Sequence, residues 1–229
     1  LGDVYKRQLM YSVKDLFDFE GTMAEKLLNE CKNPWDALKE LKAYLLALLP
    51  ELGADYIQRG EQIFVHKTAI VADSAYIKGP CVIGPGSEIR HCAFIRGIAL
   101  IGEGCVVGNS SELKNSLLLN HVQLPHYNYA GDSVFGNYSH MGAGAITSNV
   151  KADHGLVSVN DQGEKIPTGL KKFGALLGDH VEVGCNSVLN PGSIIGRESR
   201  IYPLSFVRGF VPSHSIYKCL GEIAELKED

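Results

Sequence analysis

The sequence predicts an all-β solenoid, a parallel β-helix of six-residue repeats, preceded by a helical segment. Three observations predict it. An aliphatic residue recurs at an unbroken period of six at Val65, Val71, Ile77, Ile83, Ile89, Ile95, Ile101, Val107, Leu113 and Leu119. Two residues before most of these stands a small side chain: Ala69, Ala75, Cys81, Ser87, Ala93, Ala99, Cys105 and Ser111. Both features return at Leu177, Val183, Leu189, Ile195, Ile201 and Val207, with Ser187, Ser193, Ser199 and Ser205. An α-helix cannot hold a period of six on one face, and an ordinary half-buried strand shows a period of two. A β-helix can: three units make a triangular coil, with aliphatic residues stacked inside and small ones where the wall turns.

The elements run in chain order. Residues 1–8, LGDVYKRQ, do not share the patterning of the rest of the chain and read as a non-native leader. Residues 9–60 form a helical N-terminal segment. A short helix is expected over Met23 to Cys31. A longer one begins after Asn33-Pro34, an N-cap and a proline at the first helical position. Leu38, Leu41, Leu45, Leu48, Leu49 and Leu52 give it an apolar stripe, and Pro50 and Gly53 end it. This segment is expected to cap the open first coil. The β-helix covers residues 61–212. It loses its frame between Leu119 and Phe135. Residues 150–170, polar with Gly and Pro, read as a projecting loop. Residues 213–229 read as a tail or short helix.

Composition excludes several classes. A net charge of -4 argues against a general nucleic-acid binder. No apolar run approaches about 18 residues, so no membrane helix is expected. No secretory signal is visible. Six scattered cysteines read as free thiols, two of them at small-residue sites of the repeat, which fits a reducing, cytoplasmic setting.

The coil length places candidate chemistry. Lys78, Arg96 and Lys114 are 18 residues apart and stack as a column of cations. Stacked like charges repel unless an anion or carboxylate sits among them. A small phosphate suits such a column, and Glu88 or Glu112 would neutralise it otherwise. The frame break contains HVQLPHYNYAGD. His126 within it is a candidate general base near neutral pH, and Glu112 a candidate to orient its ring. His91, His121 and His126 would be the ligands of a metal reading, which their spacing disfavours; no metal is expected.

At these residues the stretch from Arg96 to Asn149 resembles the acetyltransferase domain of bifunctional N-acetylglucosamine-1-phosphate uridyltransferase/glucosamine-1-phosphate acetyltransferases. It also resembles the C-terminal half of archaeal sugar-1-phosphate nucleotidylyltransferases that acetylate amino sugar phosphates. The pattern is Arg96, then Glu112-Leu113-Lys114, then His126-Tyr127-Asn128-Tyr129-Ala130-Gly131-Asp132, then Gly142-Ala143-Gly144-Ala145-Ile146-Thr147-Ser148-Asn149. The resemblance implies a left-handed β-helix, a homotrimer, and acetyl-CoA as co-substrate. It implies that Arg96 and Lys114 hold a sugar phosphate and that Tyr129 and Asn149 contact the amino sugar. It makes His126 the base and places Ala143 and Cys185 at the acetyl-CoA site. Lys172 matches a lysine of the phosphate site, although it lies 23 residues after Asn149 rather than a handful. The segment before residue 61 leaves no room for the family's nucleotidyltransferase domain, so acetyl transfer to glucosamine- or galactosamine-1-phosphate is the expected chemistry. The alternative is a non-catalytic scaffold or regulatory partner of a sugar nucleotidyltransferase, docking through the N-terminal helices. A scaffold has no need for these polar residues together.

Overall fold

The computed structural model describes residues 11–161, 164–219 and 222–225, and the repeat in it closes into a parallel β-solenoid of about 8 turns. The expected leader at 1–8 lies outside the described residues. Each turn lays one short strand on each of three walls. The first wall begins with Ile63–His66, Cys81–Ile83 and Ala99–Ile101, paired in parallel. The second begins with Ile70–Val71, Glu88–Ile89 and Val106–Asn109. The third begins with Tyr76–Ile77 and Phe94–Ile95. Strands Glu112–Leu118 and Tyr129–Phe135 run round a corner from the third wall into the first.

The aliphatic column fills the prism, with the frame broken earlier than the sequence suggests. Ile95, Ile101, Val107 and Leu113 are six apart; Leu118 then comes after five, Leu124 and Ala130 after six, and Phe135 after five. Leu119, expected inside, is buried in the outer cluster instead. Asn115 and Asp132 stand at the two shortened corners, in the left-handed region at φ 49 and 48°. Asn and Asp tolerate that conformation better than most side chains. The register confirms the shorter coil, with Leu113 opposite Ala130 and Leu118 opposite Phe135.

The helical segment lies along the first wall rather than over the first coil. It comprises Val13–Leu16 (α1), Glu25–Glu30 (α2), a 3-10 turn Pro34–Asp36 and Ala37–Leu48 (α3). Leu16, Leu28, Trp35, Leu41 and Leu45 are buried against the outward side chains Val82, Leu100, Leu117, Val134, Leu176 and Ile194. Those six are successive register partners, one apolar stripe down the whole wall. Each buried Leu of this kind contributes roughly 1.5–3 kcal/mol of transfer free energy. Asp18 N–H donates to Asp179 Oδ2 at 2.7 Å, and Asp179 N–H donates to Leu16 O, pinning the segment.

Antiparallel pairing, not a helix, covers the two ends. Tyr56–Gly60 folds back on Ile63–His66. In place of the expected tail or short helix, Ser215–Cys219 pairs with Glu222–Glu225. The expected loop 150–170 is a two-stranded hairpin, Val157–Asp161 with Glu164–Leu170. Val157 and Val159 bury themselves in the outer cluster, which is why this polar stretch is ordered as strands. The buried thiols Cys81 and Cys105 are pushed up to about 12 by desolvation.

Candidate active site

The predicted site residues fall on the third wall and its two edges. At the edge where the second wall turns into the third, backbone bonds climb the coils. Tyr127 N–H donates to Asn109 O, Gly144 N–H to His126 O at 3.1 Å, Asn186 N–H to Ala143 O at 2.8 Å, and Leu204 N–H to Cys185 O. His126, Ala143 and Cys185 are therefore successive rungs of one column, although 59 residues of sequence span them.

The turn carrying His126 is fixed from below and above. Asn128, 2% exposed, accepts the His126 N–H through Oδ1 at 3.1 Å and donates to Gly142 O and Ala145 O at 2.8 and 3.2 Å. A β-carbon on Gly142 would sit 2.7 Å from Cys185 N, and one on Gly144, at φ +71°, 2.2 Å from Asn186 Oδ1. Close approach of the next coil thus demands Gly142, and the left-handed backbone demands Gly144. The His126 ring is exposed and makes no hydrogen bond among the described residues.

The opposite edge carries the charges. Arg96 Nη1 lies 2.8 Å from Glu112 Oε1, one coil above on the same wall. Glu112, expected to orient the His126 ring, instead bonds Arg96. The physical reason is register: Glu112 is opposite Phe94 and Tyr129 on the third wall, while His126 belongs to a strand of the second. Lys114 Nζ lies 2.9 and 2.7 Å from the two oxygens of Asp132, whose side chain is 5% exposed. Asp132 also accepts from Asn115 Nδ2 at 3.0 Å and from Asn149 Nδ2 at 2.5 Å. Asn149 Nδ2 donates to Tyr129 Oη as well, at 3.2 Å. Burial raises the Tyr129 phenol above its ordinary value, and the charges of Asp132 and Glu112 add to this. The stacked cations are thus neutralised by carboxylates, except Lys78, which lies 5.7 Å over the Tyr76 ring.

Lys172 joins this edge because the hairpin closes on itself: Phe173 N–H donates to Asn149 O at 3.0 Å. The 23-residue separation therefore collapses, and Lys172 stands exposed beside Asn149. The three histidines of the metal reading do not converge. His121 stacks on Tyr138 at another edge, ring centroids 4.7 Å apart, and His91 Nδ1 is 2.6 Å from Ser74 Oγ. Among the described residues no three His, Cys, Asp or Glu are grouped to hold a metal ion.

Sequence reasoning missed Asp132, the hub of the charged edge, and Asn128, the lock of the His126 turn. Both were legible as polar residues inside the frame break; their burial was not. The apolar stripe under the helices had a signal too: the residue before the core aliphatic is apolar at Val82, Leu100, Val134, Leu176 and Ile194.

Residues 77–195 match the GMPPB C-terminal domain family. The bifunctional sugar-1-phosphate nucleotidylyltransferase/acetyltransferase of Sulfurisphaera tokodaii is 33% identical over 68% of this chain and 43% of its own length. YaiX of Escherichia coli K12, named only as an uncharacterized acetyltransferase, is 30% identical over 76% of this chain and 79% of its own. Among solved structures, the acetyltransferase domain of PglB from Neisseria gonorrhoeae in complex with acetyl coenzyme A matches with a TM-score of 0.32. It is 13% identical and covers 68% of this chain and 53% of that one. The chain spans less than half the length of the bifunctional relative. No helix among the described residues is long and apolar enough to cross a membrane. With the repeat, the His126 turn and the glycine motif in place, the chain belongs to the GMPPB C-terminal domain family and carries the acetyltransferase region shared with GlmU-type proteins.

Proposed function

We propose that the chain is an acetyl-CoA-dependent N-acetyltransferase acting on a phosphorylated amino sugar, with His126 as general base. The observation that carries this reading is the single column holding His126, Ala143 and Cys185, three coils high, facing an edge of sugar-compatible polar groups across one narrow wall. The co-substrate would lie along that column, its thioester near Ala143. Tyr129 and Asn149 would contact the acceptor, whose amine meets His126. The base removes the amine proton as nitrogen attacks the thioester carbonyl; the carbon–sulfur bond then breaks and the protonated His126 returns the proton to the departing sulfur. A backbone N–H at the Gly142–Ala145 turn would stabilise the oxyanion. Transfer is direct: Cys185 has no base beside it among the described residues.

A homotrimer is part of the proposal. The outward column of the third wall, including Tyr76, Phe94, Tyr129, Ile146, Val188 and Phe206, is only partly covered, with Tyr76 60% exposed. Three copies packing these walls would bury that column and close each site with a neighbour. A cytoplasmic, soluble setting suits this chemistry. Acetyl-CoA-dependent thiol release with glucosamine- and galactosamine-1-phosphate tests the activity. His126→Ala should lower turnover about 10²–10⁴-fold. A near-normal rate in that variant would remove His126 as base; no coenzyme binding at all would favour the scaffold alternative.

A further inference from the structure

We propose that the pocket beneath the inserted hairpin binds the diphosphate of a nucleotide-linked amino sugar, which rests on the acceptor site proposed above and names its substrate class. The pocket is an open one with a volume of about 800 Å³. Small-molecule sites fall in roughly the 300–1,000 Å³ range, so it is larger than a lone phosphate needs. The hairpin supplies one side with Asn160 and Lys165, the turn that precedes it supplies Lys151 and Asp153, and the solenoid edge supplies Asn190 and Arg208.

Register ties this pocket to the charged edge. Lys114 is opposite Gly131, and the ladder continues through Tyr129, Ile146, Val188 and Phe206. Two residues beyond those four stand Gly131, Ser148, Asn190 and Arg208, so the pocket is the upward extension of the edge that holds Lys78, Arg96 and Lys114. At about 4.8 Å per coil, Arg208 stands roughly 19 Å above Lys114. Asn149, bonded to Tyr129, adjoins Ser148 on the pocket floor.

The charges decide where an acceptor's phosphates go. Arg96 and Lys114 already hold Glu112 and Asp132, and a phosphate there must displace a carboxylate. In the pocket Lys151 holds Asp153 at 3.0 Å, while Lys165 and Arg208 have no ion-pair partner among the described residues. Three cations against one carboxylate give this pocket a net positive lining in a chain of net charge -4. Two cations lining one pocket of this size suit a pyrophosphate with a nucleoside filling the remainder.

The test is direct binding to the full chain, measured by calorimetry with uridine, guanosine and thymidine diphosphates, inorganic pyrophosphate, CoA and dephospho-CoA. Lys165→Gln and Arg208→Gln are the variants; both side chains are exposed and neither replacement leaves a carboxylate unpaired. The expected result is that at least one nucleoside diphosphate binds more tightly than pyrophosphate and that each variant weakens it about tenfold to a hundredfold. Absence of binding by all three nucleotides, or equal binding by wild type and both variants, overturns the proposal. Loss of CoA affinity in the variants with dephospho-CoA unaffected also overturns it, assigning the pocket to the coenzyme's phosphate. Failure here is separable from failure of the proposed activity: turnover of a sugar 1-phosphate by a chain whose nucleotide binding is absent or unmoved by the variants would keep the acetyltransferase and sink the nucleotide site, whereas variant-sensitive nucleotide binding in an inactive chain would do the reverse.

Discussion

Lys114→Ala separates a stabilising role from a substrate-binding one. The substitution removes two charge-assisted hydrogen bonds, at 2.9 and 2.7 Å, from a carboxylate only 5% exposed. Asp132 keeps its bonds from Asn115 and Asn149 but loses its cation. Breaking a well-buried pair from one side costs about 3–5 kcal/mol. The two remaining donors and the 22% exposure of Lys114 place this case lower, at about 2–3 kcal/mol, the cost of one under-satisfied charged group. For a chain of this size that is a fall in Tm of about 4–12 °C by calorimetry. The double variant Lys114→Ala/Asp132→Asn removes the stranded charge and should recover most of the loss, a non-additivity of about 1–2 kcal/mol. An unchanged Tm in Lys114→Ala, or strict additivity in the double variant, would show that Asp132 does not depend on Lys114, and that Lys114 is free for a phosphate.

Three further outcomes are expected. Leu41→Ala empties a fully buried position between α3 and the first wall and should cost about 2–5 kcal/mol, read as loss of hydrogen-exchange protection in α3 before the solenoid; uniform loss across both would contradict a docked segment. Gly142→Ala drives a β-carbon to within 2.7 Å of Cys185 N and should lower stability by about 1–3 kcal/mol and depress turnover; a wild-type melting curve would mean the coils can separate freely. Stability should fall above pH 9. Cys81 and Cys105 keep their protons up to about 12 when folded, against an ordinary value of 9.0. The raised folded value means the contribution is complete below pH 9 and is lost between there and about 12 as the unfolded thiols ionise. Replacing both by Ala should flatten that limb of a pH–stability curve; an unchanged slope would assign it to other groups.

Much of the fold could be read before any coordinates. The six-residue period located the solenoid and its inward column, because only a coil of fixed length keeps a side chain at every sixth position pointing inward. The Asn33-Pro34 start and the leucine stripe of α3 were equally local signals. The site residues were legible as types in a pattern: a histidine and tyrosine in the frame break, a glycine-bracketed alanine, and cations at the coil length.

Tertiary structure decided what each of those residues touches. The two five-residue units, with Asn115 and Asp132 at their corners, shifted the register by one residue and moved Leu119 from the core to the outer cluster. A one-residue slip is invisible in a list of aliphatic residues but changes every neighbour. That slip, together with the buried carboxylate of Asp132, decided that Lys114 is paired; the coil stacking decided that Glu112 holds Arg96 and not His126. The hairpin's return to Asn149 rescued Lys172 from its sequence distance, and built the pocket that no local pattern announced. Outside the frame break, periodicity alone fixed which side chains point in, because each six-residue unit returns to the same place in the coil. Which polar groups meet on the outside depended on register between coils, a non-local quantity set by how each corner is turned.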